Sequence, residues 1–275
     1  MKLSIRHETH YEYSAPLQYA LQHLCLTPQA NAHQAVEAWQ VSAPGHLHAQ
    51  RDGWGNLAHS WSMVRQRDAR HVFRGSVTAH GVVRTAPSAE LVDEPAAPHA
   101  ALYLRSTALT AADAALADLG RAHLAGRAAV ADALLALADA VAAHVVYRAG
   151  ATHVGTTAAE ALALGAGVCQ DQAHVFIAAC RAAGLPARYV SGYFHSPSAH
   201  QLASHAWADV CIDVAARRWL AIDVTHRCAM DERHVRLAIG PDYAACAPVR
   251  GVRQGGGEET LRVRVLIDAH PPGQA

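Results

Sequence analysis

The chain has 275 residues, no net charge with histidine counted neutral, 51% hydrophobic residues and 17% charged ones. That length allows one large domain or two ordinary ones, and the apolar share argues against disorder. With no basic stripe, no polybasic cluster and no apolar run of about 18 residues, neither nucleic acid nor a membrane is an expected partner.

The start, Met1-Lys-Leu-Ser-Ile-Arg-His-Glu8, carries early charge and no apolar leader core, so a cytoplasmic location is expected. The six cysteines form no CxxC pair and are expected as free thiols. Twenty histidines raise the question of a metal, but no HExxH and no Cys/His set at zinc spacing occurs. His46 and His48 stand in a Pro/Gly turn with no third ligand nearby, and His195, His200 and His205 are spaced for neither a helix face nor a strand face. Neither a metal nor another cofactor is therefore expected.

Residues 1–86 read as a β-rich domain. Leu3, Ile5 and His7 alternate with polar neighbours, and Tyr11 and Tyr13 continue the alternation. Runs at 20–26, 35–41, 57–64 and 70–83, separated by Pro28, Pro44-Gly45 and the turn Asp52-Gly-Trp-Gly-Asn56, suggest a small antiparallel sandwich or barrel. Residues 87–105, with Pro87, Pro95 and Pro98, read as a linker.

A core of helices and strands is expected over 106–245. Thr110 to Asp113 resembles a capping box opening a helix to about Leu119, and 128–147 is an alanine-rich helix with Leu134, Leu137 and Val141 in its buried stripe. Thr157-Ala-Ala-Glu160 opens a short helix that Gly165 ends. The turn Gly165-Ala-Gly167 then delivers Cys169 to the start of an apolar helix that runs to Ala183 and stops at Gly184. Unpaired N–H groups and the helix dipole favour an anion at such a position, and a thiolate is the reactive form of cysteine.

After a strand at 187–194 and a polar loop at 195–204, two alternating runs form a hairpin, 205–212 and 219–224. Ala206, Ala208, Val210 and Ile212 share one face with Leu220, Ile222 and Val224, leaving His205, Trp207, Asp209, Trp219 and Asp223 opposite. An odd number of residues in the turn puts His205 and Asp223 on the same side; an even number separates them. Residues 246–275 read as an extension with one closing strand at 261–267.

A thiol at a helix start, a histidine and an aspartate form a set suited to acyl transfer. Several segments carry a resemblance: Gly167-Val-Cys-Gln-Asp-Gln-Ala173, Gly184-Leu-Pro-Ala-Arg-Tyr-Val-Ser-Gly192, Ser204-His-Ala-Trp207 and Ile222-Asp-Val-Thr225, with His7 to Tyr13 and Asp52 to Asn56 at the start. They resemble the bacterial transglutaminase-like proteins of cysteine-protease type. The resemblance implies an α+β fold, a papain-like core behind a β-rich N-terminal domain. It also implies Cys169 as nucleophile, His205 as base and Asp223 as orienting acid, acting on a peptide or protein substrate as protease, amidase or transglutaminase. Trp207 and Gln170 are candidate substrate-binding residues, Trp207 either shielding the site or packing. The family pattern Asp-x-Thr-Asn becomes Asp223-Val-Thr-His226 here, which leaves the role of the fourth position open. A non-catalytic binding or scaffolding member of the same fold is the alternative, and a metalloprotein built on the histidines is a third reading.

Overall fold

The computed structural model describes residues 1–64, 74–126, 130–197 and 204–270. Alternation at the chain start produces β1 (Lys2–Tyr13), which buries Leu3, Ile5, His7, Thr9, Tyr11 and Tyr13. The strands that follow are β2 (Leu17–Leu24), β3 (Gln34–Ser42), β4 (Leu47–Arg51), β5 (Leu57–Val64), β6 (Arg74–Thr85) and β7 (Glu90–Val92). The helical region holds α1 (Ala114–Leu124), α2 (Val130–His144), β8 (Val146–Tyr147), α3 (Ala158–Leu164), β9 (Ala166–Gly167) and α4 (Cys169–Ala182). The chain continues through β10 (Ala187–Phe194), β11 (His205–Asp213), β12 (Arg218–Asp223), β13 (Cys228–Ala229) and β14 (His234–Gly240), then α5 (Tyr243–Cys246), β15 (Val249–Gly255) and β16 (Glu259–His270). The expected helix residues 128–129, strand residues 70–73 and loop residues 198–203 lie outside the described residues.

Two four-stranded antiparallel sheets, ordered β16-β1-β6-β3 and β15-β2-β5-β4, share a core. Leu3, Ile5, Val77 and Val83 of one pack with Leu24, Trp61 and Met63 of the other. The α+β class with an N-terminal sandwich is thus observed. Both sheets take an edge strand from the chain end. β16 pairs β1 from Lys2↔His270 to Tyr13↔Glu259, and β15 pairs β2 from Val249↔Leu24 onward. Without them β1 and β2 would each present a row of unpaired N–H and C=O groups. Residues 246–275, expected to supply one strand, supply two.

The central sheet runs β13-β12-β11-β10-β14, with β7 also pairing β12. Residues 87–105 are linker-like in composition, yet Leu91 is buried opposite Trp219 and Asp93 binds Arg188 at 2.7 Å. α4 packs on one face of this sheet, where Ala206, Ala208, Val210, Leu220, Ile222 and Val224 form the expected apolar layer. Helix starts follow local chemistry. Thr157 and Glu160 form a reciprocal capping box, and Gly165 ends α3 at φ 67°. The cap of α1 is Asp113, whose carboxylate accepts from the Leu116 N–H at 2.9 Å. Thr110, expected to be that cap, instead accepts from buried Arg181 at 2.7 Å, so the helix starts later than expected.

Candidate active site

The face on which each hairpin side chain lies depends on one residue. The turn between Asp213 and Arg218 has four residues, an even number that by itself would send His205 and Asp223 to opposite faces. The ladder shifts between Cys211 and Asp213: Asp213 pairs Arg218, but Cys211 pairs Trp219 and Ala208 pairs Ile222. Ile212 is the extra residue of a β-bulge. The bulge restores the parity, so Asp223 shares a face with Trp207 and His205. Asp223 Oδ2 lies 2.7 Å from His205 Nε2, both groups being buried.

Cys169 is the first residue of α4 and is partly exposed, whereas the helix behind it, from Gln170 to Arg181, is buried. Asp171 fixes this start. Its Oδ2 accepts from the Val168 N–H at 2.7 Å and from the Thr152 hydroxyl at 2.6 Å. Gly167 makes room for that carboxylate, since a Cβ there would stand 2.6 Å from Asp171 Cβ. One turn on, Gln172 accepts from Thr225 Oγ1 at 2.7 Å and donates to the Val145 carbonyl at 2.8 Å. It ties the start of α4 to the end of the strand that bears Asp223.

His205 meets Asp223 through Nε2, and the Cys169 sulfur adds to the proton affinity of its ring. Burial alone would lower its proton affinity. The charge and hydrogen bond of Asp223, with the nearby sulfur, more than offset this and raise the imidazole from 6.5 to about 10. Burial likewise works against an ionised Asp223, but the His205 charge and the surrounding imidazole donors hold its carboxyl well below 3.8. With the carboxylate on Nε2, Nδ1 is the ring nitrogen that can exchange a proton with a second group. The structure thus brings His205 and Asp223 together on two strands, with the Cys169 sulfur close enough to raise the imidazole's proton affinity.

Residues 118–224 match the model of the transglutaminase-like superfamily, and residues 3–84 match that of the bacterial transglutaminase-like N-terminal region. The chain carries a transglutaminase-like core behind a bacterial transglutaminase-like N-terminal region. Its fold is that of "a Putative Cysteine Protease from Cytophaga hutchinsonii", superposing with a TM-score of 0.79 at 20% identity over 100% of this chain and 92% of that one. The uncharacterized protein ML0607 of Mycobacterium leprae is 28% identical over 97% of this chain and 98% of its own length. The uncharacterized protein Rv2569c of Mycobacterium tuberculosis is 38% identical over 38% of this chain and 36% of its own length.

This transglutaminase-like site contains two histidines that the sequence reading did not place there. Asp223 Oδ2 also lies 2.7 Å from His226 Nδ1 and 2.9 Å from His234 Nε2, and Oδ1 accepts from the His226 N–H at 3.1 Å. His226 fills the position left open above, its ring stacked on Phe194 at 3.9 Å. His234 is fully buried, and its Nδ1 faces Asp231 Oδ1 at 3.1 Å. The chain order Asp223-Val-Thr-His226 could have flagged the first histidine. Nothing in the spacing flags the second, which a separate strand carries in.

Trp207 is fully buried, packed against Gly192 and edge-on to His234 at 5.2 Å, so in this structure it packs beneath the site. Gln170 donates to the Val154 carbonyl at 3.2 Å and holds the preceding loop. His205, Asp223 and His234 have ligand-type atoms within 4.8 Å of one another. Both imidazoles already bond the carboxylate at 2.7 and 2.9 Å, and a metal ion would have to displace both bonds. Among the described residues, no helix is long and apolar enough to cross a membrane.

Proposed function

We propose that this protein catalyses cysteine-dependent acyl transfer on amide bonds of peptide or protein substrates in the cytoplasm. Cys169 is the nucleophile, His205 the base and Asp223 the orienting acid. The observation that carries this reading is the buried 2.7 Å contact of His205 Nε2 with Asp223, on an imidazole whose proton affinity the Cys169 sulfur also raises. An imidazole of raised proton affinity takes the thiol proton, leaving a thiolate beside an imidazolium.

The thiolate attacks the carbonyl carbon and the C=O electron pair moves to oxygen. The N–H of Cys169 in the first turn of α4 is a candidate donor to that oxyanion. The tetrahedral centre collapses, the C–N bond breaks, His205 passes its proton to the departing nitrogen, and a thioester remains. Water then gives hydrolysis; a primary amine gives transamidation. Half-exposed Val146 and Tyr147, on the short strand paired with β9 just before Cys169, support a substrate with apolar side chains near the acyl group.

A second reading, a non-catalytic binding member of this fold, draws on the sharing of Asp223 Oδ2 among three imidazoles, which divides the charge available to His205. Alkylation of Cys169 by iodoacetamide, followed by peptide mapping across pH, separates the two. The catalytic reading expects labelling at neutral pH that falls by about 100-fold in His205→Ala, and a thioester mass trapped from a peptide library. Equally slow labelling in both proteins, with no trapped mass, favours the binding reading.

A further inference from the structure

A second cluster of ligand-type side chains lies where the N-terminal sandwich meets the central core. His23 is on β2, Cys25 follows that strand directly, and Asp52 opens the turn between β4 and β5. One ligand-type atom from each lies within 4.8 Å of the other two. We propose that His23 Nε2, Cys25 Sγ and an Asp52 carboxylate oxygen form a binding site for a divalent transition-metal ion of zinc type.

The contrast with the Asp223 cluster supports this. There, each imidazole bonds the carboxylate. Here, no hydrogen bond joins the three groups. His23 Nε2 is buried without any hydrogen-bond partner, and Cys25 is a fully buried free thiol. A buried ring nitrogen with nothing to bond is costly, and an ion would satisfy it. Asp52 is already oriented. Its Oδ1 accepts from the N–H groups of Trp54 and Asn56, each at 2.9 Å, and its Oδ2 from Asn56 Nδ2 at 2.9 Å. Asn56 is in turn pinned to the backbone of Ile239 by two bonds of 2.8 Å. The carboxylate therefore sits on a rigid turn anchored to the central sheet, and Oδ2, with one donor, keeps a lone pair for a cation.

The donor set is one sulfur, one imidazole nitrogen and one carboxylate oxygen. This mixture suits zinc, with three protein ligands and a fourth position for water. A tetrahedral zinc shell holds its ligand atoms about 3.5 Å apart, so side-chain adjustments of about 1 Å close the site. The Arg250 guanidinium is the cation near His23 and Cys25. The thiolate and the carboxylate together cancel the two charges of the ion, so Arg250 faces a neutral centre. On binding, the Cys25 S–H bond breaks, its proton goes to solvent, and the sulfur electron pair forms the bond to the metal. His23 contributes the Nε2 lone pair with its ring proton on Nδ1. No electron is transferred.

Cobalt(II) titration of the full-length reduced protein tests the site. The expected result is a near-ultraviolet thiolate-to-cobalt charge-transfer band saturating at one equivalent, with visible bands of a four-coordinate ion, both removed by added zinc. The band disappears in Cys25→Ser and persists in Cys169→Ser. Cobalt affinity in His23→Gln drops by more than the roughly 10–100-fold that loss of an outer partner costs. His23 is the less buried ligand, so this variant keeps the test valid if Cys25→Ser does not fold. A wild-type protein without the band overturns the proposal, as does a band that survives in both Cys25→Ser and His23→Gln or one that is lost only in Cys169→Ser.

Discussion

Two carboxylates lie on the same face of the central sheet, and their surroundings differ. Asp209 and Asp223 are both fully buried, one on each strand of the hairpin. Asp209 faces guanidiniums. Arg236 donates to both its oxygens at 2.8 and 2.6 Å, and Arg188 donates to Oδ2 at 2.8 Å, bridges to Asp93 and stacks on Trp219 at 3.9 Å. Asp223 faces imidazoles. A guanidinium keeps its charge at any pH the protein meets, whereas an imidazole exchanges protons in the physiological range. The first cluster can hold the sheet together but cannot move a proton. The second can do both, and it is the one whose proton affinity a partly exposed thiol also raises.

Substitution of each carboxylate should separate these roles. The largest expected effect is on rate: Asp223→Asn lowers kcat/KM on an activated amide by about 10⁴-fold, because the orienting charge behind His205 is lost. Chemical denaturation should show a smaller stability change for that variant than for Asp209→Asn. Asp209→Asn comes next and acts on stability. Buried Arg236 loses its counter-charge and Arg188 keeps only Asp93, at a cost of about 3–5 kcal/mol in urea unfolding. A variant of wild-type stability would mean that Arg188 and Arg236 are satisfied by other groups.

The third test is pH. His205 has its folded affinity raised to about 10 from 6.5, so its contribution to stability is complete below pH 6.5 and is lost as pH rises toward 10. Asp223 and Asp209 are depressed, so their contributions are present above 3.8 and are lost only as pH falls below it. Between pH 6.5 and 10 the unfolding free energy of the wild type should therefore decline. The decline should flatten in Asp223→Asn and persist in Asp209→Asn. Equal slopes in the two variants would remove His205 as its source. The smallest effect is expected from His226→Asn, which restores the residue usual in the family at a part-exposed position. Thermal and urea unfolding should move by no more than about 0.5 kcal/mol.

The alternation of 205–212 and 219–224 showed which residues share a face along each strand, and the helix ends at Thr157, Gly165 and Gly184 were readable from local capping chemistry. The pairing of His205 with Asp223 could be named from their positions in a hairpin. Other features were not readable, because they depend on where distant strands meet. Leu91 in a proline-rich stretch becomes sheet core, the chain end supplies two sandwich edges, and His234 arrives at Asp223 from β14. His23, Cys25 and Asp52 had no spacing to betray them, since a turn and a strand end bring them together.

By itself, the sequence determined the side-chain alternation, the helix ends and the residue types available for chemistry, since these follow from backbone geometry over a few residues. Which face Asp223 occupies was decided only in three dimensions. A four-residue turn points it into the apolar layer, and the bulge at Ile212 turns it back to His205. Such a bulge forms when packing on both faces of the sheet outweighs one broken rung of the ladder, and both faces exist only once the helices and the remaining strands are in place.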